Sequence, residues 1–287
     1  MAPEDFAFIS GMLKQRSGLV IGPDKLYLLE SRLSPLARRR GLPGLSELIA
    51  ELRKPSAEEL RRDVTDAMTT NETSFFRDIK PFEELRTFVL PEMLVRRQDR
   101  RQLRIWSAAA STGQEAYTIA MLFKEMGAKL DGWRLEIIGT DLANEVLDKA
   151  KAATYSQFEV QRGLPITMLV KYFQQDGEQW RLNQTIRSMV QFRQHNLLNG
   201  AAGFGTFDVI FCRNVLIYFD QDTKRKVLED LRKVIAPDGS LETHRVDQSS
   251  PGHDLSVDGE TVAGVSTLAE LVERLRASSA GTPLGRG

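Results

Sequence analysis

The sequence predicts an α/β fold: an all-α N-terminal region, then a doubly wound parallel sheet carrying a small antiparallel β insertion. Three observations predict it. The first part repeats apolar residues at helical intervals. From Leu103, short apolar runs alternate with amphipathic helical ones, the pattern of parallel strands joined by crossover helices. Between Tyr155 and Asn196 that alternation breaks into short strand-like pieces.

Phe6, Ile9, Met12 and Leu13 mark a first helix. Pro23-Asp24 opens a second, with Leu26, Leu29, Leu33 and Leu36 on one face and Gly41 closing it. Leu45, Leu48, Ile49 and Leu52 mark a third, and Leu60, Val64 and Met68 a fourth. "NETSFFRD", residues 71–78, follows. It has two readings. In one it is a lip, with Phe75 and Phe76 walling a pocket that Asn71, Thr73 and Arg77 face. In the other it is a helix stop with two core aromatics, which the eight residues alone favour. A helix from about Pro81 to Arg97 then serves as a linker.

"LRIWSA" reads as a strand and "STGQEAYTIAMLFKEM" as the turn and helix after it. "LEIIGTD" and "LANEVLDKAKAA" repeat the pair. "WRLNQTIRSMVQFRQHNLL" reads as antiparallel strands of the insertion, placed around 156–195. "FDVIFCRN" is a later strand, and "QDTKRKVLEDLRKVI" its helix, stopped by Pro237-Asp238-Gly239. The expected division is a helical domain over 1–78, a linker helix over 79–98, the α/β domain over 99–240, and a divergent segment over 241–287. That last segment is too polar to build a core.

Lys plus Arg equals Asp plus Glu, 39 each, so the chain has no overall field to attract nucleic acid. One cysteine, Cys212, excludes an internal disulfide and a thiolate zinc cluster, and three dispersed histidines argue against a metal site. The start lacks a signal-peptide pattern, and no apolar run is long enough to span a bilayer. The expected location is the cytoplasm.

Ligands of doubly wound sheets bind at the carboxyl ends of the strands. The first such end, "SAAASTGQEA", has small residues and Gly113, but neither a dinucleotide fingerprint nor a phosphate-loop lysine. Glu115, in the first helical turn, disfavours a phosphate and suits a cation; it is also a common residue there. Asp141 ends the second strand, as a ribose acceptor or as a helix cap. Arg213 and Asn214 end the third, with Tyr218 one turn on, and His195-Asn196 forms a separate polar stop. Together these ends suit a nucleoside ligand without a diphosphate. S-adenosylmethionine fits, because its positive sulfonium agrees with Glu115.

"NETSFFRD", "IWSAAASTGQEAYTIAM", "GTD", "FRQHNLL" and "FDVIFCRNVLIYFD" occur in this order. With them the chain resembles the CheR family of chemotaxis receptor methyltransferases, over roughly residues 5 to 239. The resemblance implies a Rossmann-like methyltransferase domain using S-adenosylmethionine. The implied reaction methylates glutamate side chains on the cytoplasmic coiled coil of chemoreceptors, leaving methyl esters and S-adenosylhomocysteine. It implies that Asn71, Thr73 and Arg77 contact the cofactor, making "NETSFFRD" a lip. Glu115 and Asp141 would hold its amino-acid and ribose ends, Asn196 and Leu197 would flank the adenine, and Arg213 with Asn214 would close the pocket. Arg77 and Tyr218 would serve the transfer. The basic end of the second helix, Arg32, Arg38, Arg39 and Arg40, would dock the receptor, with Arg32, Arg39 and Arg40 able to share a side.

Two departures from the family stand out. Ala109-Ala110 replaces a usual Gly-Cys, with little expected change in cofactor affinity. After Gly239 the usual apolar strands give way to polar residues. "KYFQQDGEQWRLNQ" lacks the glycine-bearing insertion of members that grip a receptor's C-terminal pentapeptide, so that peptide is not expected to be required. The expected state is a monomer. A non-catalytic S-adenosylmethionine-binding adaptor and a methyltransferase for another acceptor are the alternative readings.

Overall fold

The computed structural model describes residues 1–243; the segment from 244 onward, including most of the divergent region, lies outside the described residues. α1 (Pro3–Ser17) starts with proline at its first turn and ends at Gly18, whose left-handed φ of 78° caps it. A 3₁₀ turn over Pro23–Lys25 leads into α2 (Leu26–Arg39), followed by α3 (Leu45–Leu52) and α4 (Glu58–Met68). Their apolar stripes meet: Ile9, Leu13, Leu29, Leu33, Leu48, Leu52, Val64 and Met68 form one core.

The expected linker helix is three pieces: α5 (Lys80–Glu84), a π-helical turn over Leu85–Val89, and α6 (Leu90–Arg96). It packs rather than merely connects. Phe82, Leu85, Val89, Leu90 and Met93 are buried in the same cluster as the sheet residues Ile105 and Ile137.

The main sheet is parallel throughout. β1 (Gln102–Ala108) is followed by α7 (Gln114–Glu125), β2 (Arg134–Asp141) and α8 (Asn144–Ala152). The insertion holds β3 (Thr154–Ser156), α9 (Gln157–Gln161), α10 (Ile166–Tyr172), β4 (Phe173–Asp176) and β5 (Gln179–Leu182). Then come α11 (Gln184–Arg187), β6 (Val190–Gln194), β7 (Phe207–Cys212), α12 (Gln221–Arg232) and β8 (Ile235–Thr243). The strand order is β6-β2-β1-β7-β8. Successive residues point to opposite faces, so Ile105, Ile137 and Val209 join the core under α5–α7, while Trp106, Ile138 and Ile210 join the one under α12. The chain winds outward from β1 in both directions, which opens a crevice at the carboxyl ends beside β1.

Two sequence-based expectations change. The antiparallel insertion is the three-stranded sheet β3-β5-β4, and "VQFRQ" is not part of it. That segment is β6, parallel to β2 with Val190 opposite Ile137. An edge strand shows polar residues to solvent, so its sequence resembles that of a half-exposed antiparallel strand. The domain also does not stop at residue 240. Pro237-Asp238-Gly239 lies inside β8, at a register shift between the pairs Phe207–Ile235 and Val209–Ser240, and pairing continues to Cys212–Thr243. Proline is tolerated at such an irregularity because the ladder is already broken there. A Cβ on Gly239 would meet the Asp208 carbonyl at 2.9 Å, so glycine permits the close approach. Arg97, nearly buried, donates to Asp208 at 2.7 Å and to Asp238 at 2.8 Å, tying the end of α6 to this irregularity.

No helix among the described residues is long and apolar enough to cross a membrane.

Candidate active site

A cleft lies over the carboxyl ends of β1, β2, β6 and β7, where ligands of doubly wound sheets bind. Its other wall comes from the helical domain: Ser17, Leu19 and the strap Thr69–Thr73. Gly18 makes that meeting possible, since a Cβ there would lie 2.9 Å from the Phe219 ring. The next turn is pinned as well, because the Val20 N–H donates to the Tyr218 carbonyl at 3.0 Å.

The loop after β1 turns through two left-handed non-glycine residues, Ala109 (φ 65°) and Ser111 (φ 49°). The second of these organises the site. Its N–H donates to Asp141 Oδ2 at 2.9 Å and its hydroxyl to the Asn71 carbonyl at 2.7 Å. Asp141 Oδ1 accepts the Ala143 N–H at 3.1 Å, so the same carboxylate turns the chain toward α8. Burial raises the Asp141 pKa, and the backbone N–H groups oppose that rise. A carboxylate has about four lone-pair positions, more than the N–H groups of Ser111, Ala143 and Leu142 take up, so acceptor capacity is left for a ligand in the cleft.

Glu115, in the first turn of α7, accepts from the Ser107 hydroxyl at 2.8 Å and from Arg213 Nη1 at 3.0 Å. Burial raises its pKa, while Arg213 and Ser107 favour the ionised form. Arg213 itself is 1% exposed and also binds the Arg77 carbonyl at 2.8 Å and Asp78 at 2.7 Å. Asn214 follows with φ 57°, and Tyr218 ends a 3₁₀ turn over Leu216–Tyr218. Arg77 Nη1 donates to the Glu72 carbonyl at 2.6 Å. Asn196 Nδ2 donates to the Arg16 carbonyl at 2.6 Å, and its Oδ1 accepts the Leu198 N–H at 3.0 Å. His195 packs on Trp106 and Phe204, and burial lowers its pKa.

The structure gathers Asn71, Thr73, Arg77, Glu115, Asp141, Asn196, Leu197, Arg213, Asn214 and Tyr218 around this one cleft. It separates the aromatics of "NETSFFRD" from its polar residues. Phe75 is fully buried, 5.1 Å from the Tyr155 ring and 5.5 Å from Phe173, and Phe76 packs on Phe82 at 5.7 Å. Neither walls the cleft, whereas Asn71, Glu72, Thr73 and Arg77 do. Sequence reasoning missed Ser17, Leu19, Ser111, Leu142 and Phe219 as lining residues. Gly18 directly after a helix was the signal for the first two.

The basic end of α2 is not a single outward face. Arg32 donates to the carbonyls of Met68 at 2.7 Å and Thr69 at 3.0 Å, and to Thr70 Oγ1 at 3.0 Å. Arg40 pairs with Glu59 at 2.9 Å and with Asp63. Arg38 and Arg39 are exposed. The expected set of Arg32, Arg39 and Arg40 is therefore split, because α4 presents its own carbonyls and carboxylates to α2.

A small-residue loop after β1, a carboxylate ending β2, an anionic residue opening α7 and no phosphate cradle fit S-adenosylmethionine. Fold and site define an S-adenosylmethionine-dependent methyltransferase with a helical domain closing its cleft. Residues 4–69 match the family model for the CheR methyltransferase all-alpha domain, and residues 71–245 match that for the CheR methyltransferase SAM binding domain. The chain is 42% identical over 246 residues to chemotaxis protein methyltransferase 1 of Pseudomonas aeruginosa, covering 84% of this chain and 88% of the relative. It is 39% identical over 241 residues to chemotaxis protein methyltransferase Cher2 of Pseudomonas putida, covering 83% and 87%. The chemotaxis protein methyltransferase of Vibrio anguillarum is 38% identical over 244 residues, covering 84% and 88%. The chain belongs to the CheR methyltransferase family. It is a protein-glutamate O-methyltransferase that methylates chemoreceptors with S-adenosylmethionine.

Proposed function

We propose that Asp141 holds the ribose, Glu115 the amino-acid end, and Asn196 with Leu197 the adenine, while Asn71, Thr73, Arg213 and Asn214 close the cleft. When bound, S-adenosylmethionine supplies a methyl group carried on a sulfonium. The acceptor glutamate is already ionised at neutral pH, since its free pKa is about 4.3, so the site needs no general base. Approach and alignment then dominate, an effect worth roughly 7–11 kcal/mol in well-oriented systems. Arg77 orients the acceptor carboxylate, and the Tyr218 hydroxyl binds one of its oxygens and so aims the other. The carrying observation is that Arg77, four residues beyond the strap, and Tyr218, after β7, line the same cleft as Asp141 and Glu115.

The helical N-terminal part, 1–78, faces the receptor, and the exposed Arg38 and Arg39 meet its acidic methylation helix. The β4–β5 hairpin closes through Gly177 and Glu178 alone, which supports a receptor interaction that does not depend on a C-terminal pentapeptide. The reading is of a cytoplasmic monomer that neither binds nucleic acid nor inserts into membrane.

The test incubates the protein with methyl-labelled S-adenosylmethionine and receptor cytoplasmic fragments, intact and truncated at the C-terminus. Equal base-labile label on both fragments is expected, with turnover strongly reduced in Arg77→Ala and Tyr218→Phe. Full turnover in Tyr218→Phe removes the hydroxyl from the transfer. Cofactor binding without label on receptor would instead mark an adaptor.

A further inference from the structure

Arg77 sits in an unusual piece of backbone. Its neighbours Phe76 (φ 50°) and Asp78 (φ 65°) are both left-handed, and Ile79 also has a positive φ of 43°. Left-handed non-glycine residues persist only where their surroundings fix them, and they cluster at functional sites. Three sets of contacts fix this turn. The Phe76 N–H donates to Thr118 Oγ1 at 3.2 Å, and the Ile79 N–H donates to the Phe76 carbonyl at 2.9 Å. The third contact acts on Arg77 itself: Arg213 Nη2 donates to the Arg77 carbonyl at 2.8 Å and to Asp78 Oδ2 at 2.7 Å.

Arg213 is buried, with Glu115 on its Nη1 and the Phe82 ring 5.4 Å from its guanidinium carbon. It is one cation between two carboxylates, Glu115 on the cleft side and Asp78 on the side of the turn. A buried guanidinium follows its ionised partners, because an unpaired charge there is costly. Asp78 draws Nη2 toward the turn, where it meets the Arg77 carbonyl. Without that charge Glu115 is the remaining carboxylate partner among these contacts, and the grip on residue 77 weakens.

We propose that Asp78 is a positioning residue for methyl transfer: through Arg213 it fixes the left-handed turn that presents Arg77 to the cleft. The Arg77 side chain is held at its far end by the Glu72 carbonyl at 2.6 Å, so clamping its backbone fixes both ends. Asp78 acts on the aim of Arg77 and does not touch the cofactor or the acceptor. The inference rests on the assignment of Arg77 to transfer.

A double-mutant cycle tests it. Asp78→Asn keeps the side-chain shape and removes the charge. It is expected to lower kcat about 10- to 100-fold, the scale for a misplaced group. The KM for S-adenosylmethionine and the calorimetric Kd for S-adenosylhomocysteine should change by far less than kcat, since Arg213 keeps its contact with Glu115. In an Arg77→Ala background the same substitution should have no further effect on kcat, and Asp78→Glu should restore part of the loss. Thermal melts of the unloaded variants separate this from a fold defect. An impaired Arg77→Ala with Asp78→Asn fully additive upon it overturns the role of Asp78 alone. So does a kcat loss in Asp78→Asn that merely tracks a lowered Tm and a weakened Kd. Full turnover in Arg77→Ala overturns both the assignment of Arg77 and the inference built on it.

Discussion

Ser111 and Asn71 join the two halves of the molecule: the Ser111 hydroxyl, from the loop after β1, donates to the Asn71 carbonyl of the strap at 2.7 Å. The N–H of the same residue holds Asp141. One small residue thus sets the strap and the Asp141 carboxylate relative to each other. Ser111→Ala keeps the N–H contact and loses the hydroxyl. The expected cost is about 1 kcal/mol, read as roughly fivefold weaker S-adenosylhomocysteine binding in calorimetry. Unchanged affinity would show that the strap is held by its other contacts.

Ala109 has a φ of 65°. That angle lies in the left-handed region, which glycine adopts freely and alanine only at a cost. Ala109→Gly relieves left-handed strain of about 1–2 kcal/mol and gives part of it back to the more flexible unfolded chain. A net gain of about 0.5–1 kcal/mol is expected, a Tm rise of about 1–4 °C by calorimetry, with cofactor affinity unchanged. A fall in Tm would mean that alanine packing outweighs the strain.

Burial pushes the Asp66 carboxyl up to about 6 from 3.8, with Asp63, Asp141 and Glu145 adding to the rise. Between those values the folded state holds a proton that the unfolded chain releases, so stability falls as pH rises through that window. The penalty is complete above about pH 6 and absent below about pH 4. Asp66→Asn removes it. Urea melts should show the variant more stable by on the order of 1–2 kcal/mol at about pH 7.5, and no different at about pH 4. An equal gain at both values would point to a cause other than the charge.

Arg32 and Arg39 lie on one helix yet should behave differently. Arg32→Ala leaves the carbonyls at the end of α4 and the start of the strap without their donor. Its expected effect is a stability loss of about 1–2 kcal/mol and weaker cofactor binding. Replacing exposed Arg38 and Arg39 together should change stability by less than about 0.5 kcal/mol. It should raise the KM for receptor and flatten the dependence of rate on salt. A double variant with an unchanged salt profile would remove this helix end from the docking face.

Much of this protein was legible along the chain. The type and order of most helices and strands follow from local periodicity: Leu29, Leu33 and Leu36, spaced four and three apart, share one face of a helix but not of a strand, and "LRIWSA" has the length and texture of a buried strand. Once the sheet is doubly wound, Glu115, Asp141, Arg213 and Asn214 have to gather, because parallel strands bring their carboxyl ends to one edge. Tertiary structure alone decided the rest. It tied Arg32 to the end of α4 and Arg40 to Glu59 and Asp63, paired "VQFRQ" with β2, carried β8 through a proline, and set Ser17 and Leu19 against the cleft. The physical reason is range. Periodicity is fixed by neighbours a few residues away, whereas a guanidinium or a strand edge takes its partner from whatever the packed chain brings near. Asn196 holds the carbonyl of Arg16, 180 positions earlier, and no local pattern encodes a contact across that separation.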